Sequence, residues 1–337
     1  MSKVQSVTVP EADDGLRLDR WFRRHYPQVG HGRLEKLLRT GQVRVNGARV
    51  KASHRIAQGE VIRVPPLPKA AQSGIAAKPL SRATERDREM IEQMVIYRDE
   101  DIIVLNKPSG LAVQGGTKMD KHVDGLLPLL APGGERPRLV HRLDRDTSGV
   151  LVVAASAKAA SKLAAAFRQR NAKKIYWALT AGVPRQKAGE IKLALIKRAA
   201  DGERERMHAV DDEEDENENE NEEGRNARAA ATRYRVMDTA TSFAWLALMP
   251  LTGRTHQLRA HAAALGTPIV GDFKYGGPAA KGLGDIVNRL HLHARRLRIR
   301  HPNGTVLDVT APLPPHMAKT WDMFGFAKDD KRDPFGE

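Results

Sequence analysis

The residue best placed to do chemistry is Asp144. It sits in the stretch HRLDRDTSG (141–149), between Arg142 and Arg145. The run that follows, Val150, Leu151, Val152, Val153 and Ala154, is apolar throughout and predicts a buried strand. A carboxylate on a short polar loop anchored by a core strand is fixed in direction, and its flanking guanidinium groups keep it ionised. Such an acid can attack as a nucleophile or remove a proton as a base. Gly149 gives the chain a backbone freedom at the loop-to-strand junction that other residues lack.

An arginine could serve such an acid. Arg254 stands in LTGRTHQLRAH, where Thr252 and Gly253 introduce a helix predicted from Thr255 to Leu265. A guanidinium at that entrance can offer a carboxylate a bidentate fork and hold it ionised. Tyr176 lies in KKIYWALT (173–180), a predicted strand in which Ile175, Trp177 and Leu179 share one face and Tyr176 the other. Other chemistries fit poorly. With no cysteine among 337 residues there is no thiol nucleophile, disulfide or Cys-bound zinc. His256 and His261 are five apart, not the four that aligns zinc ligands on a helix, and no acidic third ligand accompanies His291 and His293; no metal is expected. GxxxxGK[ST] is absent as well. The tripeptide Arg17-Leu18-Asp19 repeats Arg142-Leu143-Asp144 inside a predicted helix, so the three letters alone carry no catalytic information.

The elements that must position these residues form two modules. Residues 15–66 predict two short helices, with Leu16, Trp21 and Phe22 on one and Leu34, Leu37 and Leu38 on the other. Gly41 ends the second helix, and strands follow around the Asn46-Gly47 hairpin signal. Arg20, Arg33, Lys36, Arg39 and Arg44 lie on outward positions. Residues 67–90, rich in Pro, Ala, Ser and charge, read as a flexible linker. Residues 91–325 predict the larger domain. It is interrupted by an acidic insertion (201–229) whose composition predicts disorder, and a loose tail (326–337) follows it. The formal charge is +15, and without the ten acids of Asp211–Glu223 it is +25. A positive balance of that size favours a polyanionic partner, nucleic acid by default. No apolar run approaches the roughly 20 residues a bilayer needs. No signal-peptide pattern opens the chain, so a cytoplasmic protein is expected.

HRLDRDTSG resembles the active-site loop of the RluA/RluC/RluD pseudouridine synthases. The similarity continues in order through NKPSGLAVQGG, KKIYWALT and GRTHQLR, spanning about Leu16 to Pro312. LLRTGQVRVNGARVKAS resembles the alpha-L RNA-binding module named after ribosomal protein S-four. The resemblance implies an α+β fold, with a small RNA-binding domain before a mixed, mainly antiparallel-sheet catalytic domain. It implies Asp144 as the catalytic residue, Tyr176 stacking on the target base and Arg254 paired with Asp144. Leu258 would pack near the base, with His256, Gln257 and Arg259 supporting the loop. Arg142 would fill the space that the base leaves, and Arg33, Lys36 and Arg39 would contact phosphate.

The expected activity is isomerisation of uridine to pseudouridine in 23S ribosomal RNA or a large-subunit precursor, by a monomer without cofactor. Asp144 could attack the sugar, attack the base or remove a sugar proton, and sequence does not choose among these. Two readings from other classes stand beside this one. A silent RNA-binding or ribosome-assembly protein would not need Asp144, Tyr176 and Arg254 together. A metal-dependent hydrolase would need clustered carboxylates or histidines, which the ordered motifs lack.

Overall fold

The computed structural model describes residues 4–26, 28–67, 84–115, 121–169, 171–198, 206–210, 228–282 and 284–336. The chain divides into two compact units, Met1–Arg82 and Ala83–Glu337.

The first unit pairs three strands with two helices: β1 (Gln5–Thr8), α1 (Leu18–His25), α2 (His31–Arg39), β2 (Arg44–Val45) and β3 (Val61–Val64). Leu18, Trp21 and Phe22 of α1 and Leu34, Leu37 and Leu38 of α2 are buried together with Val43, Ile56 and Ile62. Burial of this apolar face is what makes such short helices stable. The module starts earlier than the sequence suggests, because β1 pairs antiparallel with β3. Asn46 and Gly47 both have positive φ, as the hairpin signal requires. Asp19 is structural: its carboxylate takes the Arg17 guanidinium at 2.6 Å.

The second unit begins with α3 (Glu85–Gln93), whose capping box between Thr84 and Asp87 starts a helix inside the expected linker. Residues 68–83 of that linker lie outside the described residues. Then come β4 (Val95–Arg98), β5 (Ile102–Lys107), α4 (Val123–Leu126), β6 (Arg138–Leu139), β7 (Ser148–Ala154), α5 (Ala157–Arg168), β8 (Lys173–Ala181) and β9 (Ala188–Arg198). The remainder is β10 (Arg206–Val210), β11 (Arg228–Ala240), β12 (Phe243–Pro250), α6 (Gln257–Ala264), β13 (Leu292–Arg300), β14 (Val306–Thr310) and α7 (Pro315–Phe324). The strands form one mixed sheet in the order β10-β9-β11-β12-β8-β13-β7-β5-β4, with β14 on β13 and β6 on β7. Among the described strands, only β7 with β13 is parallel. The fold is thus the expected mixed, mainly antiparallel one.

Two boundaries differ from expectation. Within the acidic insertion, Arg206–Val210 pairs with β9 and β11 begins at Arg228, so the ladder extends into both ends of the segment. Residues 199–205 and 211–227, with the whole acidic run, lie outside the described residues. The tail is not loose where described: Phe326 is buried against Trp245 and Trp321, and Lys173 donates to Asp333 at 2.7 Å. Aromatic spacing in FGFAKDDKRDPF was the missed signal.

The parallel seam fixes Gly149. Its φ is +110°, and a Cβ there would lie 2.3 Å from the Ala294 carbonyl oxygen. Gly149→Ala is expected to destabilise this unit by about 3 kcal/mol or more, lowering its melting temperature by about 6–12 °C. Wild-type melting in the variant would contradict the close approach.

Burial also holds several histidines neutral, His293 down to about 3 and His261 and His291 to about 4. Their folded pKa lies below the unfolded value near 6.5. Each contribution is therefore complete above pH 6.5 and is lost as pH falls toward the folded value. Each neutral histidine adds about 1.4 kcal/mol per pH unit to the slope across that window. His261, 1% exposed, has no hydrogen-bond partner for either ring nitrogen among the described residues. Urea unfolding at pH 7, 6 and 5 should show a shallower acid slope for His261→Leu, with stability at pH 7 equal to or above wild type.

Candidate active site

Asp144 is held on a loop between two strands that pair with each other. Leu139 of β6 lies opposite Val153 of β7, and the chain turns through residues 140–147 before entering β7. Every residue of β7 is buried, so the loop starts from a rigid base. His141 fastens the outer arm: its Nε2 accepts the Val152 N–H at 2.8 Å, and its ring lies 4.6 Å from that of Phe167. Burial, with Lys174 nearby, pushes this imidazole down to about 3, so it stays a neutral acceptor.

The inner arm is fastened by the NKPSG loop. Lys107 is fully buried, and its ammonium donates to the carbonyls of Pro108, Leu111 and Arg145 at 2.8, 2.8 and 2.9 Å. The Gly110 N–H donates to the same Arg145 carbonyl, and the Ser109 hydroxyl to that of Asp146. Burial pushes the ammonium down to about 7, while the charges of Asp146 and Asp144 pull it back up. Lys107 itself was missed, although a lysine ending the apolar run IIVLNK was the available signal.

Opposite Asp144 stands the TGRTHQ turn. The buried Gln257 carboxamide holds it at four points. Its oxygen accepts from Thr252 Oγ1 and the Arg254 N–H, and its nitrogen donates to the Ala231 carbonyl and to Thr232 Oγ1. His256 then takes a left-handed conformation, φ +55°, so α6 begins at Gln257 and not at Thr255. A non-glycine residue there is strained, a cost met where a site needs one geometry. The strain directs His256 Nε2 to within 4.0 Å of Asp144 Oδ1 while Nδ1 meets the Tyr275 hydroxyl at 2.8 Å. Behind it, Arg259 makes a bidentate pair with Asp272 at 2.7 and 2.6 Å, both side chains buried.

Asp144, Arg142, Tyr176, Arg254 and Leu258 all line one cavity of about 280 Å³. Arg142 is exposed at its rim, and Leu258 is buried in its wall. Tyr176 faces away from Trp177 as expected, and burial together with the Asp144 charge pushes its phenol up, keeping it protonated. One expectation needs correction. No ion pair joins Arg254 to Asp144 among the described residues; Arg254 Nε donates to the Ala229 carbonyl at 3.3 Å. Its backbone is pinned by Gln257, and the start of β11 captures the side chain. Among the described residues the basic group nearest Asp144 is His256, to which the resemblance gives only a loop-supporting role.

A family model described as RNA pseudouridylate synthase matches residues 101–264, which include both loops. The ribosomal large subunit pseudouridine synthase C of Vibrio vulnificus (strain CMCP6) is 33% identical, with 94% of this chain and 96% of its own length covered. The chain belongs to the RNA pseudouridylate synthases. The synthase of the same name from Escherichia coli (strain K12) is also 33% identical, over 92% of this chain and 93% of its own. Among solved structures, Human RNA Pseudouridylate Synthase Domain Containing 4 is 29% identical with a TM-score of 0.58, covering 71% of this chain and 95% of that one. That likeness fits the synthase sheet that carries Asp144.

In the first unit, Arg20, Arg33, Lys36 and Arg39 are exposed on α1 and α2. Arg44 differs: half-buried, it donates to the carbonyls of Gly41 and Gly47 and closes the turn. Among the described residues, no group of three or more His, Cys, Asp or Glu side chains is placed to hold a metal ion.

Removing the Lys107 ammonium should disturb the Asp144 loop more than the RNA surface. Lys107→Met is expected to lower kcat at least about tenfold with RNA affinity within about twofold. Single-turnover rates and filter binding on the same RNA check this, and a wild-type rate would count against it.

Proposed function

We propose that this chain isomerises uridine to pseudouridine in 23S ribosomal RNA or a large-subunit precursor, as a cytoplasmic monomer without cofactor, with Asp144 as the reacting carboxylate. The observation that carries the reading is Asp144 itself. It is an acid on a loop fastened at both arms, inside a cavity it shares with a protonated tyrosine and three guanidinium groups. Support for the substrate comes from relatives named for the ribosomal large subunit over nearly the whole chain.

The reaction detaches uracil from ribose, turns it and rejoins it through carbon-5, with loss of the carbon-5 proton and gain of one at nitrogen-1. Atoms balance without oxidation or group transfer, so the chemistry calls for no redox cofactor. Asp144 supplies the one anionic oxygen pair that can attack or take a proton. Tyr176 offers a ring face for the detached base and Leu258 an apolar wall. His256, kept neutral by burial despite the Asp144 charge, can exchange a proton with that carboxylate. The target base must leave its stack, at a cost of a few kcal/mol. Arg142, exposed at the rim, fills the vacated space. In the first unit, Arg20, Arg33, Lys36 and Arg39 supply phosphate contacts that add affinity without reading sequence.

The test is tritium release from carbon-5-labelled uridine in large-subunit RNA with chelator present. Wild type is expected to release label, and Asp144→Asn to do so at least about 1,000-fold more slowly while still binding the RNA. Release by the Asn variant at the wild-type rate would remove Asp144 from the chemistry. Binding without release by either protein would favour the assembly-protein reading.

A further inference from the structure

A second cleft, about 680 Å³, opens beside the reaction cavity and shares with it Phe167, Lys174, Pro250, Thr252, Gly253 and Arg254. Its volume lies in the ~300–1,000 Å³ range of sites that enclose a small molecule or a nucleotide. It is strongly basic: Arg168, Lys173, Lys174, Arg233 and Arg254 line it, and no carboxylate does so among the described residues.

Three of these cations already have partners. Lys173 donates to Asp333 and to the Phe335 carbonyl, Arg233 lies 3.7 Å from Glu190, and Arg254 meets the Ala229 carbonyl. The side chains of Lys174 and Arg168 make no hydrogen bond or ion pair among the described residues. Lys174 is the telling one. It stands two residues before Tyr176 on the same face of β8, lines both cavities and is largely withdrawn from water. A cation kept there without a counter-charge is costly unless an anion arrives with the ligand. Burial alone pushes its ammonium down, and an arriving anion would push it back up. Arg168, exposed at the end of α5, can meet the same anion from the solvent side.

We propose that this cleft is a phosphate subsite that holds the phosphodiester of a nucleotide flanking the target uridine, with Lys174 and Arg168 as its ligands. The proposal rests on the RNA reading above and adds what that reading lacks, a place for the neighbouring nucleotide. Continuity with the reaction cavity favours a group on the same strand over a separate metabolite anion. A base extruded beside Tyr176 carries its own phosphates toward the shared wall of Lys174 and Arg254. The packed tail forms part of the opposite wall through Phe335, held by its carbonyl to Lys173.

Phosphate-ethylation interference on 23S ribosomal RNA tests this. RNA ethylated about once per molecule is reacted in a single turnover, and the positions that block pseudouridine formation are mapped against the modified uridine. With wild type, ethylation at one phosphate within about two nucleotides of that uridine should slow the reaction about 10- to 100-fold. Lys174→Gln and Arg168→Gln should each react more slowly on unmodified RNA and lose the interference at that one position, keeping it elsewhere. Lys158→Gln, on α5 outside both cavities, should keep the wild-type profile. An unchanged profile in the folded, exposed-site variant Arg168→Gln would overturn the proposal, as would a profile uniformly weakened at all positions. If wild type forms no pseudouridine in any ribosomal RNA, the functional reading falls first and this subsite with it. If wild type reacts but shows no flanking interference, the subsite alone falls.

Discussion

A buried lysine ammonium holds the Asp144 loop in place. Lys107 uses its three protons on three carbonyls, and one of those carbonyls belongs to Arg145, next to Asp144. A single point charge thereby joins the end of β5, the NKPSG loop and the HRLDRDTSG loop. Neither a guanidinium nor an apolar chain has the same compact three-donor geometry. The stabilisation is mutual: the charges of Asp144 and Asp146 offset part of the cost of burying the ammonium, and the ammonium fixes the loop carrying both acids.

The rest of the sheet brings the second half of the site to that loop. β7 and β13 are far apart in sequence and run parallel at their contact, where Ser148 and Gly149 lie opposite His293 and Ala294. Gly149 lets the two backbones close. Ser148 and His293 fill the space beside them with a 2.9 Å hydrogen bond. β13 in turn pairs with β8, which carries Lys174 and Tyr176, and β8 pairs with β12, which leads into the TGRTHQ turn. A single parallel contact in a mainly antiparallel sheet thus decides which loops face each other.

Much of this was legible in the sequence because it depends on local pattern. The unbroken apolar run after Gly149, the alternation in KKIYWALT and the Asn46-Gly47 turn each report a neighbourhood of a few residues, and the strands and hairpin follow them. The membership of Asp144, Tyr176, Arg254 and Leu258 in one cavity was legible through ordered motifs. What stayed hidden depends on long-range packing. Lys107 reads as a surface lysine until its three carbonyls are assembled. His256 reads as a helical residue until Gln257 pins the turn and forces the left-handed conformation. The tail reads as polar, yet two phenylalanines decide its place. Arg254 went astray for the same reason: the Ala229 carbonyl, 25 residues away, takes its side chain.

The cations around the site sort by what already neutralises them. Arg259 is neutralised by Asp272, Arg145 lies against Asp146, and Lys107 is surrounded by carbonyls. These hold structure and have little left to offer a substrate. Arg142 and Lys174 have no such partner among the described residues, and Arg254 has only a long bond to a carbonyl. All three border the cavity where a polyanion would enter. Asp144 follows the opposite logic to a structural acid. A carboxylate locked in a bidentate pair, as Asp272 is, has its lone pairs occupied and makes a poor nucleophile or base. Asp144 has its backbone fixed on both sides and, among the described residues, only the His256 imidazole as a basic group within 4.0 Å of its oxygens. The fold therefore restrains the position of this acid through the main chain and leaves its oxygens available to react.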